Sequence, residues 1–256
     1  MGTPLHGLAA VRGLLAKYGS ATSILAGFIL LVYAAMVVLN GGIISRDAAG
    51  NRVGNLMFGF SSDVLIRCGA SLPNYVAHGQ SWRLVTAMFL HGGLIHVAFN
   101  VIVLFQLGRL SELYFDARRT FVIFFISGFV GMAASCFAGN FSVGASGAVM
   151  GLAGGILAKA RFSGGALDRV ILSSVGRWVV IIVILGFIVP GVDWIGHVVG
   201  LIAGAAVGYF LIREGGINPR VHLALFWASV VVTLVSVALG VSFCINCPPP
   251  YYPYPH

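Results

Sequence analysis

A small set of polar residues stands inside otherwise apolar runs. Ser146 lies in Gly144-Ala145-Ser146-Gly147, and His197 opens His197-x2-Gly200-x3-Gly204. His91, His96 and Asn100 follow one another within a third apolar run. A serine hydroxyl is a weak nucleophile until a neighbouring imidazole takes its proton. An amide or a second imidazole can then donate to the oxyanion that the attack creates. These residue types suit acyl transfer. Other chemistries lack their parts. No His-Glu-x-x-His run is present. His91 and His96, five apart, would face about 140° from each other on a helix, a poor arrangement for one metal ion. No Asp, Glu, Lys or Arg lies well inside any apolar run, so a carboxylate pair is missing too. We expect no metal and no cofactor.

The elements that carry these residues follow from composition. Of 256 residues 59% are apolar and 9% are charged, and mean hydropathy is +0.98. A soluble domain carries about a quarter charged residues, so this chain reads as an all-α polytopic membrane protein. A membrane β-barrel would show short alternating segments instead of long continuous runs. A span needs roughly 20 residues. The gaps between charges predict seven spans. The first lies between Lys17 and Arg46, and the second between Arg83 and Arg109. The third (120–138) and fourth (146–158) are separated near Gly139-Asn140. A short fifth runs from Arg177 to Pro190-Gly191, the sixth from Asp193 to Arg213, and the seventh over 221–243. The first run is too long for a signal-peptide core and reads as an uncleaved span.

Domain organisation follows the same gaps. It comprises a cytoplasmic segment (1–20) and a membrane domain (21–243). Within the latter lie a membrane-associated outer loop (41–82), a catalytic core (about 82–212) and an extra C-terminal span (221–243). A Pro/Tyr-rich extracytoplasmic tail (244–256) completes the chain. The net charge of +8 is read as topology rather than as a nucleic-acid footprint. Arg12, Lys17, Arg109, Arg118, Arg119, Lys159, Arg161, Arg169, Arg177, Arg213 and Arg220 fall on one side. Only Arg46, Arg52, Arg67 and Arg83 fall on the other. The N-terminus is therefore expected in the cytoplasm and the C-terminus outside. A bacterial cell membrane is a separate expectation, which the charges do not decide. Cys68, Cys136, Cys244 and Cys247 then lie near the outer face, with Cys244 and Cys247 either paired or as separate thiols.

Depth and packing bring the polar residues together. Residues 146–158 make about 20 Å of helix at 1.5 Å per residue, too short to cross, so Ser146 starts about 10 Å below the outer surface. His197, one turn after Asp193, enters from the same side. Gly147, Gly151 and Gly155 form one row of small residues, and Gly200, Gly204 and Gly208 form another. Such rows let membrane helices approach closely. Spans four and six are thus expected to pair, bringing Ser146 within reach of His197.

Together these motifs resemble the rhomboid family of intramembrane serine proteases. The resemblance rests on Trp82-Arg83, His91-x4-His96-x3-Asn100, Gly144-Ala145-Ser146-Gly147 and His197-x2-Gly200-x3-Gly204, in order over about 82–208. It implies a Ser-His dyad with Ser146 as nucleophile and His197 as base. It implies Asn100, His96 and the Ser146 N–H as the oxyanion hole. Gly144, Gly147, Gly200, His91, Trp82 and Arg83 are implied as structural support. It implies a six-helix bundle plus one helix, and transmembrane proteins as substrates cut near their outer end. Membrane lipid is the other partner; no nucleic acid and no obligatory protein partner is expected. Met150 departs from the aromatic that many members carry one turn after the serine. The competing reading is a non-catalytic rhomboid-like protein that binds or escorts membrane helices. Asp193 reads as a helix cap rather than a third catalytic group, and Glu112 as a structural partner of Arg109 or a nearby loop.

Overall fold

A computed structural model describes residues 20–39, 59–188, 191–212 and 218–246. All regular elements among them are helical: α1 (Ser20–Leu39), α2 (Ser62–Cys68), α3 (Pro73–Ala77), α4 (Arg83–Thr86), α5 (Leu94–Phe137), α6 (Ser146–Ser163), α7 (Ala166–Ile188), α8 (Trp194–Ile212) and α9 (Pro219–Asn246). Five of them, α1, α5, α7, α8 and α9, are long and apolar enough to cross a membrane. The protein is an integral multi-pass membrane protein.

α5 is two helices in one. Asp116 has φ 68° and ψ 170°, which breaks the helix. The Ser111 and Thr120 hydroxyls meet at 3.0 Å. Nine residues of straight helix would hold them about 13 Å apart, so the chain folds back here. The arms, 94–115 and 117–137, correspond to the second and third spans read from the sequence. With α6 included, the long segments number as expected, but the boundaries differ, most at α6 and α7. α6 runs on through Lys159 and Arg161 to Gly164, whose left-handed φ of 71° ends it. α7 is not short: it starts at Ala166, and its Asp168 carboxylate accepts from the Gly165 N–H at 2.9 Å. Charges at a helix end are cheap where they reach water, so a charge-to-charge gap underestimates a span that continues past its first basic residue.

Spacing explains which faces turn inward. On α1, Thr22, Leu25, Ala26, Ile29, Tyr33 and Met36 recur every three or four residues and are buried. Ile24, Leu31 and Val38 point outward, as lipid permits. The first arm of α5 packs on this face. Glu112, itself buried, accepts from the Thr22 N–H at 2.7 Å and the Thr22 hydroxyl at 3.0 Å. It thereby caps the start of α1, where N–H groups lack intrahelical partners. Its partner is therefore Thr22, not Arg109.

The centre of the bundle is α6 against α8. A methyl on Gly200 would overlap the Gly147 backbone, one on Gly204 the Gly151 backbone, and one on Gly208 would stand 2.7 Å from Gly155 Cα. Each step advances four residues on both helices, so the two run parallel. The second arm of α5 closes a three-way contact. A methyl on Gly131 would come within 2.6 Å of the Gly196 carbonyl oxygen, and the side chain of Ser127 occupies the space a methyl on Gly151 would need.

The described part of the outer loop is built around Arg83, which is 1% exposed. Its guanidinium donates to the Ile66 carbonyl at 2.6 Å, the Ala70 carbonyl at 3.1 Å and Gln80 Oε1 at 2.7 Å. It also lies over the Tyr75 and Trp82 rings. Phe60 packs on Tyr33, its N–H donating to the Gly92 carbonyl at 2.5 Å. Residues 41–58 of the loop expected to be membrane-associated fall outside the described residues, as does the tail from Cys247.

Candidate active site

Ser146 is the first residue of α6, and no side chain caps that end. The first bond across the turn runs from the Val149 N–H to the Ala145 carbonyl, 2.9 Å. The N–H groups of the first turn lie ahead of it and lack an intrahelical acceptor. Gly144 sets the approach, with φ 123°. A methyl built there would stand 2.9 Å from His96 Cε1 and Nε2 and 3.8 Å from Ser146 Oγ. Only glycine fits, on both backbone and space.

His197 sits in the first turn of α8 and is 7% exposed. Its Nε2 lies 2.7 Å from Ser146 Oγ. A neutral ring protonated on Nδ1 accepts the serine proton there. Nδ1 itself finds no hydrogen-bond partner among the described residues. Asp193, one turn earlier, does not serve it: its carboxylate accepts from the Gly196 N–H at 2.9 Å and the Ser142 hydroxyl at 2.6 Å. Asp193 thus caps α8 and holds the strand-like segment before Ser146, where Ser142 also bridges Ser71.

His91 corrects the helical reading of its spacing. α5 begins at Leu94, so His91 precedes the helix, and its ring meets His96 edge-on with centroids 5.0 Å apart. Both its nitrogens are used within the fold: Nδ1 donates to the Phe89 carbonyl at 3.2 Å, and Nε2 accepts from the Ala145 N–H at 3.5 Å. A ring engaged on both sides has no lone pair left for a metal. No group of three or more metal-ligating side chains occurs among the described residues.

His96 accepts from the Gly92 N–H on Nδ1 at 3.4 Å. That leaves Nε2 as the protonated nitrogen, beside Gly144 and toward Ser146. Asn100, 3% exposed, donates one amide hydrogen to the His96 carbonyl at 3.0 Å; its amide carries a second. Met150 is buried in the main core. Trp82 packs on Phe243 of α9, centroids 5.3 Å apart.

A family model for the Rhomboid domain matches residues 78–214, more than half of the chain. The chain belongs to the rhomboid family. "Rhomboid protease GluP" of Bacillus subtilis is 32% identical over 187 residues, covering 70% of this chain and 35% of that protein. "RHOMBOID-like protein 4" of Arabidopsis thaliana is 34% identical over 158 residues, covering 59% and 40%. "Rhomboid-like protease 1" of Toxoplasma gondii is 29% identical over 187 residues, covering 70% and 62%. The chain thus spans less than two thirds of each of these relatives. The matched region of this rhomboid holds α4 to α8, and so Ser146, His197, His91, His96, Asn100, Ser142 and Asp193.

Ser142 and the second arm of α5 escaped the sequence reading as parts of the site, whereas Asp193 caps α8 as expected. Ser127, Gly128 and Gly131 carried a visible signal, small residues three or four apart. The bond between Ser142 and Asp193 forms only through the fold and carried none.

Proposed function

We propose that this rhomboid is an intramembrane serine protease that cuts transmembrane segments near their extracytoplasmic end. The observation that supports it best is the 2.7 Å contact between Ser146 Oγ and His197 Nε2, on helices otherwise joined by glycine rows. Ser146 Oγ attacks the scissile carbonyl carbon while His197 Nε2 takes its proton. The carbonyl oxygen becomes an oxyanion, held by the Ser146 N–H, His96 Nε2–H and the second Asn100 amide hydrogen. His197 returns the proton to the leaving amine, giving an acyl-serine. Water, deprotonated by His197, then releases the new carboxylate. A substrate helix must unwind first, because its carbonyls are otherwise bonded. His91, Trp82, Arg83, Gly144, Gly147 and Gly200 position these groups. The Arg and Lys distribution supports a cytoplasmic N-terminus and an extracytoplasmic C-terminus.

The test is labelling by a fluorophosphonate in mild detergent. The unsubstituted protein takes up the probe, and Ser146→Ala and His197→Ala do not. Equal labelling of Ser146→Ala removes the assignment, and an unlabelled but folded wild type favours a helix-binding, non-catalytic rhomboid.

A further inference from the structure

The outer loop and the C-terminal helix meet through two cysteines. Cys68 is the last residue of α2, and Cys244 lies near the end of α9. Their sulfurs are 2.6 Å apart, across 176 residues of sequence. Both are buried, 4% and 1% exposed, in a small apolar cluster with Met36, Leu65, Ala70 and Leu90. Neighbouring contacts hold the two backbones at this distance independently of the sulfurs. The Thr86 hydroxyl donates to the Ser236 carbonyl at 2.8 Å, and a methyl on Gly240 would stand 3.0 Å from the Cys68 carbonyl oxygen.

We propose that Cys68 and Cys244 form a disulfide that fastens the outer end of α9 to the loop. A disulfide bond is about 2.05 Å long, so closure needs a shift of only roughly half an ångström. The oxidant is a disulfide of the thiol-exchange class. One cysteine thiolate attacks it and forms a mixed disulfide with release of one thiol; the second cysteine displaces the other thiol. Two cysteine thiols thereby lose two protons and two electrons, and the oxidant's disulfide becomes two thiols. The expected orientation places both residues outside, where such oxidants act. The pairing differs from the adjacent Cys244–Cys247 pair that the sequence suggests. It joins residues far apart in the chain, the case in which a cross-link constrains the unfolded ensemble most. It does not depend on the proteolytic reading, since neither sulfur touches the Ser-His pair.

The full chain in its own membranes provides the test. Free thiols are alkylated under denaturing conditions, and the protein is mapped by mass before and after reduction. Cys68 and Cys244 remain unalkylated until reductant is added and appear as one linked peptide pair. In a second form, a specific protease site is placed in 213–217. The cut halves then run together without reductant and apart with it. Cys247→Ser keeps the halves joined, whereas Cys68→Ser and Cys244→Ser each separate them. Alkylated Cys68 and Cys244, a Cys244–Cys247 peptide, or halves that separate without reductant would overturn the proposal.

Discussion

At the scale of single residues, one backbone N–H decides how His96 can act. The Gly92 N–H occupies Nδ1, so the donor of the neutral ring is on Nε2, beside Gly144 and Ser146. Asn100 lies one turn further along the same helix, with an amide hydrogen to spare. Loss of one oxyanion donor costs about 10²–10³ in turnover. Asn100→Ala is therefore expected to slow cleavage of a transmembrane substrate by about that factor, with fluorophosphonate labelling reduced and thermal unfolding little changed. A rate within twofold of wild type would place the donor elsewhere. Ser146, His197, His96 and Asn100 were legible as candidates, because polar residues in apolar runs are costly unless they are used or bonded. The role of His91 was less so. Its spacing fits a helix that does not start until Leu94, and its partners, Phe89 and Ala145, come from backbone groups that carry no mark in sequence.

The elements are held by shape more than by polarity. Lipid and side chain are equally apolar, so helix pairs gain from close packing and not from escape from water. Gly204 shows this most directly, since an added methyl would overlap the Gly151 backbone. Gly27 on α1 is the control, with nothing within 4 Å of the same added atom. Overpacking costs about 1–3 kcal/mol. Gly204→Ala is expected to lower the unfolding midpoint in detergent and to cut labelling at least tenfold by separating Ser146 from His197. Gly27→Ala should change neither, and equal behaviour of the two variants would remove the close-packing account. The glycine rows were readable from spacing alone. The fold-back at Asp116 was expected from the charges of 109–119, but not its form as a single broken helix. The length of α7 was misread because Asp168, Arg169 and Arg177 all lie within it, and a charge-based boundary placed its start at Arg177.

Across the molecule, distant tethers matter more than local propensity. Glu112 joins the start of α1 to the end of the first arm of α5, 90 residues away in sequence. Glu112→Ala leaves the Thr22 N–H without its acceptor inside the bundle. An orphaned buried donor costs about 1–3 kcal/mol. The expected result is a lower unfolding midpoint with labelling per folded molecule unchanged; an unchanged midpoint would mean that water or another group caps α1 equally well. Such ties were hidden in the sequence because their partners lie far apart and no period links them. The seven-segment order and the pairing of α6 with α8 were visible because composition and small-residue spacing report them locally.

The parallel register of α6 and α8 also has a bearing on synthesis. Two parallel helices cannot form a hairpin; a return crossing, α7, has to intervene. Ser146 therefore emerges from the ribosome some fifty residues before the imidazole it contacts. Until α8 inserts alongside, the hydroxyl has no proton acceptor. On the proposed dyad, a growing chain would be chemically silent toward its neighbours, and its reactivity would begin only when the bundle is nearly complete.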